Sequence, residues 1–458
     1  MTARWRPTDV GVVILAGALL AWVALVNGYP LLFNDSARYI DGGIRRYIPS
    51  EAPIFYGAFL IPLHLDGVSL WPVPFAQGIL LAYILQATLR ALDLYSPRAF
   101  LLLAAFLALF SAAPWFISFV MPDFFTAICV LGMFALYRGW TTFVPLERTF
   151  LIGIVLCGLA SHISHIALGL GMAAFFAVLY WLRKPRLRPA LLTVIALPFV
   201  ALIAVLGMNL VAKGRLQLTL DGPVMLLARS FADGPAYEYL RDHCDQRQWQ
   251  LCAVYQRLPR DSDQFLWSTT NNAWMYVPGK ELRSEAGEIT AGAVREHPEE
   301  ALLAAVYNTS KQLITFRAGV DFKTWPEESR IVEVMHRFFP REDGQYEQSL
   351  QQQGRLRLDA INDVYSLIVM LSLVGAIALV FALRDATFTE FLLTITVALL
   401  ANAASTGALS VVADRYQARL IWLLPLAFAI FLLAYQRQRR AAVMSSPQSV
   451  QSVSGGDA

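Results

Sequence analysis

The chain has 458 residues, of which 57% are hydrophobic and 16% are charged, and its formal net charge is only +3. Soluble globular proteins carry about 25% charged residues, so this composition argues against a soluble enzyme and against a disordered chain. The small net charge also argues against a nucleic-acid partner held through its phosphates. The composition is that of an all-α polytopic membrane protein.

The charges are concentrated in one segment. Residues 213–359 hold 39 of the 71 charged residues, so the remaining two thirds of the chain carry only 32. We therefore predict a membrane domain at 1–212, a mostly α external domain at 213–362, membrane helices at 363–440 and a disordered cytoplasmic tail at 441–458.

A transmembrane helix needs about 20 mostly apolar residues. Ten segments approach this requirement: 10–30, 70–90, 99–119, 122–138, 149–163, 165–182, 190–212, 363–383, 388–410 and 419–435. The stretch 149–182 is also open to interpretation as one span and a re-entrant piece. Residues 53–65 are too short to span, which favours an interfacial or re-entrant helix.

Arginines flank the predicted spans at alternate ends, and with ten spans and a cytoplasmic N-terminus all of them fall on the cytoplasmic side. They are Arg4, Arg6, Arg90, Arg98, Arg138, Arg148, Arg384, Arg437, Arg439, Arg440 and the cluster at 183–188. This topology places both termini in the cytoplasm and the segment 213–362 outside. A composition rich in alanine and arginine and poor in lysine favours a bacterial inner membrane.

The four cysteines divide into two kinds. Cys129 and Cys157 lie inside predicted spans and are expected to be packing residues. Cys244 and Cys252 lie eight residues apart in the polar segment. In an oxidising periplasm these two are expected to form a disulfide, with two unpaired thiols as the alternative.

Polar residues cluster in the first external loop. Asp35 directly follows the first span, and Arg38 and Tyr39 follow one helical turn later, on the same face if a helix begins at Asn34 or Asp35. The segment Pro53-Ile54-Phe55-Tyr56 comes behind them. A simple N-cap explains one aspartate here but does not explain this density of polar groups.

Three further groups lie at predicted external span ends. Asp123 follows Pro122 at a helix start, where an N-cap acid is as good an interpretation as a catalytic one. His162 and His165 are spaced to project from one side of a helix. The pair Arg415 and Arg419, with Tyr416 between them, lies on the side where positive charge is disfavoured.

Together these motifs resemble the GT-C-fold glycosyltransferases, which are polytopic enzymes that use polyprenyl-phosphate-linked sugars. The motifs are Asp35-Ser36-Ala37-Arg38-Tyr39, Pro53-Ile54-Phe55-Tyr56, Met121-Pro122-Asp123 and Asp414-Arg415-Tyr416-Gln417-Ala418-Arg419. The resemblance implies a GT-C-like fold with a catalytic aspartate at Asp35. The polar segment lies between spans 7 and 8, whereas many members of the family carry the large soluble domain at the C-terminus.

On this interpretation Asp35 removes a proton from the acceptor hydroxyl, and Arg415 and Arg419 hold the leaving phosphate with help from Arg38. The donor is a polyprenyl-phosphate sugar and the acceptor an external lipid, glycan or protein. Asp123 would orient the base, bind the acceptor or hold a divalent metal. We expect His162 and His165 to contact substrate or to pack, rather than to bind metal. Residues Tyr39, Tyr56 and Tyr416 complete the predicted substrate-binding set.

Other functions share parts of this pattern. A lipid-linked glycan polymerase or ligase uses the same kind of donor, and a transporter or flippase is also polytopic, but the predicted spans have few charges at mid-depth. A non-enzymatic envelope-assembly subunit is a further alternative. Asp261 and Asp263 form a weak DxD motif, for which solvated turn acids are the simpler explanation. Trp249, Trp267, Trp274 and Trp325 suit sugar stacking or, more simply, packing.

Overall fold

The computed structural model describes residues 7–183 and 189–445, and these are helical throughout apart from connecting segments. The described part has one isolated parallel bridge, between Leu31 and Phe119. Arg4, Arg6 and most of the basic cluster at 183–188 lie outside the described residues. The predicted tail is wrong at 441–445, because the last helix continues to Ser445, and 446–458 lie outside the described residues.

Eleven helices form the first half of the chain, as far as Lys213. They are α1 Pro7–Leu20, α2 Trp22–Asn27, α3 Ser36–Arg45, α4 Phe55–Leu60, α5 Pro72–Ala91, α6 Pro97–Phe110, α7 Ala113–Ile117, α8 Phe124–Gly139, α9 Pro145–Ser161, α10 Ile163–Arg183 and α11 Pro189–Lys213. The predicted short helix within 53–65 is therefore α4.

The second half begins with the helices of the polar segment and ends with long apolar ones. They are α12 Gly222–Asp233, α13 Pro235–His243, α14 Ser262–Trp267, α15 Ala273–Tyr276, α16 Gly279–Glu296, α17 Pro298–Ile314, α18 Arg330–Phe338, α19 Asp343–Glu347, α20 Asp359–Leu383, α21 Ala386–Leu409, α22 Asp414–Ile421 and α23 Leu423–Ser445. Two short 3₁₀ segments, Gln250–Ala253 and Tyr255–Arg257, lie between α13 and α14.

Six helical segments in the described chain are long and apolar enough to cross a membrane: Pro72–Ala91, Ile163–Leu182, Pro189–Lys213, Asp359–Leu383, Ala386–Leu409 and Asp414–Val443. This architecture is compatible with a helical membrane protein. The predicted count of ten is not confirmed. The other predicted spans contain helices α1, α6, α8 and α9, of 14 to 17 residues. At 1.5 Å per residue such helices are about 21–26 Å long, shorter than a bilayer core of about 30 Å.

Small residues allow α1 and α5 to pack backbone against backbone. A Cβ added at Gly78 would lie 2.3 Å from the carbonyl oxygen of Gly17, and one added at Gly17 would lie 2.7 Å from the Cα of Ile79. Close approach at glycines is typical of packed helices in membranes. The start of α5 lies beside the segment that leads into the first loop, because the rings of Trp71 and Tyr29 are 6.0 Å apart.

The segment 213–362 is mostly α, as predicted, but its residues contribute to two hydrophobic cores. Buried residues from Val224 to Ala293 form a small core of their own, and Cys244 and Cys252 form the expected disulfide at its edge. Buried residues from Ala318 to Tyr346 belong instead to the main core of the long helices.

The second part of this segment holds the loop that carries Asp35 in place. The Gln351 side chain accepts a hydrogen bond from the Leu32 backbone at 3.0 Å and donates one to the Leu32 carbonyl at 2.6 Å. The Trp325 indole donates to the same carbonyl, and the Tyr29 hydroxyl donates to Glu342 at 2.6 Å. The loop that carries Asp35 is therefore anchored by residues more than 290 positions further along the chain.

The α1–α5 contact predicts a contrast between two glycine substitutions. Gly78→Ala should lower the apparent melting temperature in detergent, because the added methyl overpacks a backbone contact at a cost of about 1–3 kcal/mol. Gly11→Ala, on the exposed side of α1 with open space around it, should leave the temperature unchanged or raise it, since alanine favours helix. Thermal unfolding measures both melting temperatures. Equal changes for the two variants would contradict the α1–α5 contact.

Candidate functional site

Asp123 lies at the start of α8 and is almost completely buried, at 2% exposure. Asp123 occupies the N-cap position of α8, as one of the two interpretations expected, but its carboxylate makes no capping hydrogen bond to the helix. Instead, Arg419 Nη1 donates to Asp123 Oδ1 at 3.2 Å, and Arg415 Nε lies 3.7 Å from the same oxygen. The prediction that Arg415 and Arg419 share a helix face is confirmed, because both approach one carboxylate.

Arg419 is the largest fully buried side chain, and three elements besides α22 supply its partners. Asp123 comes from α8, and Arg419 Nη2 donates at 2.9 Å to Ser164 Oγ on α10 and to Asn402 Oδ1 on α21. The Asn402 amide in turn donates to the Gln417 side chain and the Tyr416 carbonyl. A buried arginine is stable only with such partners.

Arg415 has fewer partners than Arg419. Its Nε lies 3.5 Å from Asp321 Oδ2, and its guanidinium stacks over the ring of Phe33 at 4.6 Å. Its side chain is 12% exposed, yet Nε and Nη1 are buried atoms without a hydrogen-bond partner in the described structure. Such unmade hydrogen bonds are costly in a protein interior. The arginine therefore keeps donor capacity that the protein itself does not use.

Asp35 and Arg38 form an ion pair at the start of α3, and the Asp35 carboxylate remains 31% exposed. Asp35 is the N-cap residue but makes no capping hydrogen bond with its side chain. Burial raises the pKa of the Tyr39 phenol. The charges of Asp35 and Asp123 also raise this pKa, whereas those of Arg38 and Arg415 lower it. Arg415, which approaches Asp123, also stacks over the ring of Phe33, so the first loop meets the charges at α8 and α22.

Tyr56 lies behind this cluster on α4 and is fully buried. Its ring packs edge to face against Tyr39 at 5.2 Å, and its hydroxyl donates to Gln77 at 2.7 Å. Gln77 then donates to the carbonyls of Ile117 and Phe119, close to Asp123 in the chain. These contacts assign Tyr56 to the support of the site rather than to its open surface.

His162 and His165 do not lie on one helix as expected. His162 has an extended backbone and separates α9 from α10, because the chain breaks there, although the two rings remain 5.3 Å apart. Both His165 nitrogens are hydrogen-bonded, to Thr126 Oγ1 and to the Gly158 carbonyl, each at 2.8 Å. His162 Nδ1 bonds to Ser164 at 2.7 Å. These bonds favour packing over metal coordination.

A cluster of His336, Asp343 and Glu347 brings ligand-type atoms within 4.8 Å of one another, but it lies on α18 and α19, away from the predicted divalent-metal residues. His336 faces the three carboxylates of Asp343, Glu327 and Glu347 at 3.2, 3.5 and 3.9 Å. These are the contacts of an ordinary network of charged and polar side chains. They do not support the divalent metal that was predicted near Asp123.

Asp321 is the residue of the site that sequence patterns missed. It lies in the segment after α17, in no recognisable motif, and reaches Arg415 only through the fold. Burial raises the pKa of the Asp321 carboxyl; Arg415 opposes this, and the carboxylates of Asp123 and Asp35 add to it. Asn402, which binds Arg419, was also missed. A polar residue within an apolar helix is a signal by which the sequence could have indicated it.

The weaker sequence candidates have structural roles. Asp261 caps α14 by accepting a hydrogen bond from the Gln264 backbone at 2.9 Å, which confirms the turn interpretation of the DxD motif. Trp325 is buried in the main core, and Trp249 and Trp274 pack on the smaller one. Trp267 alone of the four is largely exposed, at 46%.

No protein-family model, no curated protein and no solved structure matches this chain.

The buried ion pair predicts a strong coupling between Asp123 and Arg419. Asp123→Ala and Arg419→Ala should each destabilise the protein by about 3–5 kcal/mol, because each leaves an uncompensated buried charge. The double variant should be less destabilised than the sum of the two. Thermal unfolding in detergent measures this cycle. The exposed pair Arg241 and Asp242 serves as the control, for which no coupling is expected.

Proposed function

We propose that this chain is an integral membrane glycosyltransferase that moves a sugar from a polyprenyl-phosphate donor to an acceptor outside the membrane. The observation that carries the proposal is the Arg415 guanidinium, which lies between Asp123 and Asp321 with Nε and Nη1 unbonded. Free donors on a largely buried cation suit a phosphate oxygen. The polyprenyl chain of the donor is apolar, so its phosphate would be delivered to a cationic group that lies among apolar helices.

Asp35 is the residue best placed to act as the base. Its carboxylate stays partly exposed beside Arg38, while its neighbours Tyr39 and Ser36 are buried. In the proposed step the acceptor oxygen attacks C1 of the sugar, the bond from C1 to the phosphate oxygen breaks, and polyprenyl phosphate leaves. The acceptor proton passes to Asp35, and the configuration at C1 inverts.

The two arginines of α22 have different roles in this mechanism. Arg419 gives its hydrogen bonds to Asp123, Ser164 and Asn402, so it positions α22 and the Asp123 carboxylate. Arg415, one turn earlier, faces Phe33 of the first loop and retains free donors. We assign the contact with the donor phosphate to Arg415 and a positioning role to Arg419 and Asp123.

The location of these charges supports an interfacial active site over a conduction path. Asp123 directly precedes α8, and Arg415 lies in the first turn of α22, so the charges are grouped at helix ends. A transporter is expected to place ionisable residues near the middle of its spans. A lipid-linked glycan polymerase or ligase would differ only in its acceptor and would use Arg415 in the same way.

The proposal predicts opposite effects of two substitutions on bound donor. Asp35→Asn removes the base but not the phosphate site, so polyprenyl-phosphate sugar should accumulate on the purified protein, because the base contributes about 10²–10⁴-fold to the rate. Arg415→Ala should purify without it. Mass spectrometry of the lipids extracted with wild type and both variants measures this, with the exposed Asp242→Asn as the control that should match wild type.

A second measurement tests phosphate binding even where the bound donor is lost during extraction in detergent. Polyprenyl phosphate added to purified protein should raise the melting temperature of wild type and Asp35→Asn, and should leave that of Arg415→Ala unchanged. Equal stabilisation of all three proteins, or stabilisation of none, would overturn the assignment of Arg415 to the phosphate.

A further inference from the structure

Helix α17 exposes large apolar side chains along one face. Leu302, Leu303, Val306, Tyr307 and Ile314 are each between 57% and 77% exposed. With 3.6 residues per turn, these positions fall on one side of the helix. Neighbouring exposed apolar residues of this size are unusual on a surface that faces water, and they mark a contact with another apolar phase or partner.

The opposite face of α17 is polar and buried. Gln312 is fully buried and exchanges two hydrogen bonds of 2.9 Å with the backbone of Ala413, and Asn308 donates to Asp233 at 3.0 Å. A helix on a water-facing surface buries its apolar face and exposes its polar one. Between Leu302 and Gln312 this pattern is largely reversed, although Ser310 and Lys311 are exposed. The reversal indicates that the medium around the outer face of α17 is apolar there.

The neighbour of α17 identifies that medium. Among the helices of the described chain, α17 packs most extensively against α21, one of the candidate membrane spans. Gly407 permits the contact, because a Cβ there would lie 2.6 Å from the Asn308 carbonyl oxygen. The exposed residues Leu393 and Leu400, which are two helical turns apart, show that α21 itself has an outward apolar face. The face of α17 extends this surface.

We propose that the lipid bilayer covers the exposed face of α17, so that this helix is a membrane-embedded element of the segment 213–362 and does not span. Its 17 residues are about 25 Å long, too short to cross a core of about 30 Å, and Glu299 and Glu300 begin it. The charged start lies at the headgroup level, and residues 302–307 contact acyl chains. This assignment does not rest on the proposed enzymatic function.

Nitroxide labels on single cysteines test the proposal in proteoliposomes. The free cysteines Cys129 and Cys157 are first replaced by serine, and the disulfide is kept. Labels at Leu303→Cys and Val306→Cys should be relaxed mainly by oxygen, as at the exposed span position Leu400→Cys. A label at Ser284→Cys, exposed on α16, should be relaxed mainly by a water-soluble nickel chelate.

The ratio of oxygen to nickel accessibility should be several-fold higher at residues 303 and 306 than at residue 284. A ratio at both positions equal to that at Ser284 would mean that water covers the face, and it would overturn the proposal. Low accessibility to both reagents, with spin–spin broadening that grows with the ratio of protein to lipid, would show a second copy there and would equally overturn it. Because both side chains are exposed, the substitutions leave the core intact.

Discussion

The buried ion pair between Arg419 and Asp123 constrains the arrangement of the helices around it. Removing a guanidinium and a carboxylate from water costs several kcal/mol per ion, and only good hydrogen-bond geometry offsets that cost. Four elements meet this requirement together, since α8, α10 and α21 each place one oxygen acceptor against the arginine of α22. The helices cannot shift relative to one another here without leaving a charge unpaired.

This constraint explains why Arg415 is left incompletely bonded. The position of α22 is determined by Arg419, one turn further along, so Arg415 is carried to a place where Asp123 and Asp321 are within 3.7 Å but are not hydrogen-bonded to it. The Phe33 ring supports the guanidinium from the loop that carries Asp35, which is itself held by Gln351 and Trp325. A rigid framework of this kind allows an incompletely hydrogen-bonded cation to persist in the interior.

Local sequence patterns predicted an all-helical chain, and long-range packing decided which of the motif residues contact one another. The four-residue spacing of Arg415 and Arg419 was sufficient to predict a shared face, because that geometry lies within one helix. Their partner Asp123 is 296 residues away from Arg419, and a capping role at α8 was the natural local expectation. Asp321 and the break at His162 carry no periodic signal, so only the folded chain shows them.

The charge count that divided the chain into membrane and external segments concealed a helix of the opposite character. Residues 213–359 are rich in charge as a whole, yet α17 within them buries Asn308 and Gln312 and exposes large apolar side chains from Leu302 to Ile314. Its C-terminal end is joined to the candidate site, since Gln312 holds Ala413 and the Arg317 backbone donates to Asp414 at 2.7 Å, directly before Arg415. A helix that rests in the bilayer would therefore determine the depth at which Arg415 meets a lipid-borne phosphate.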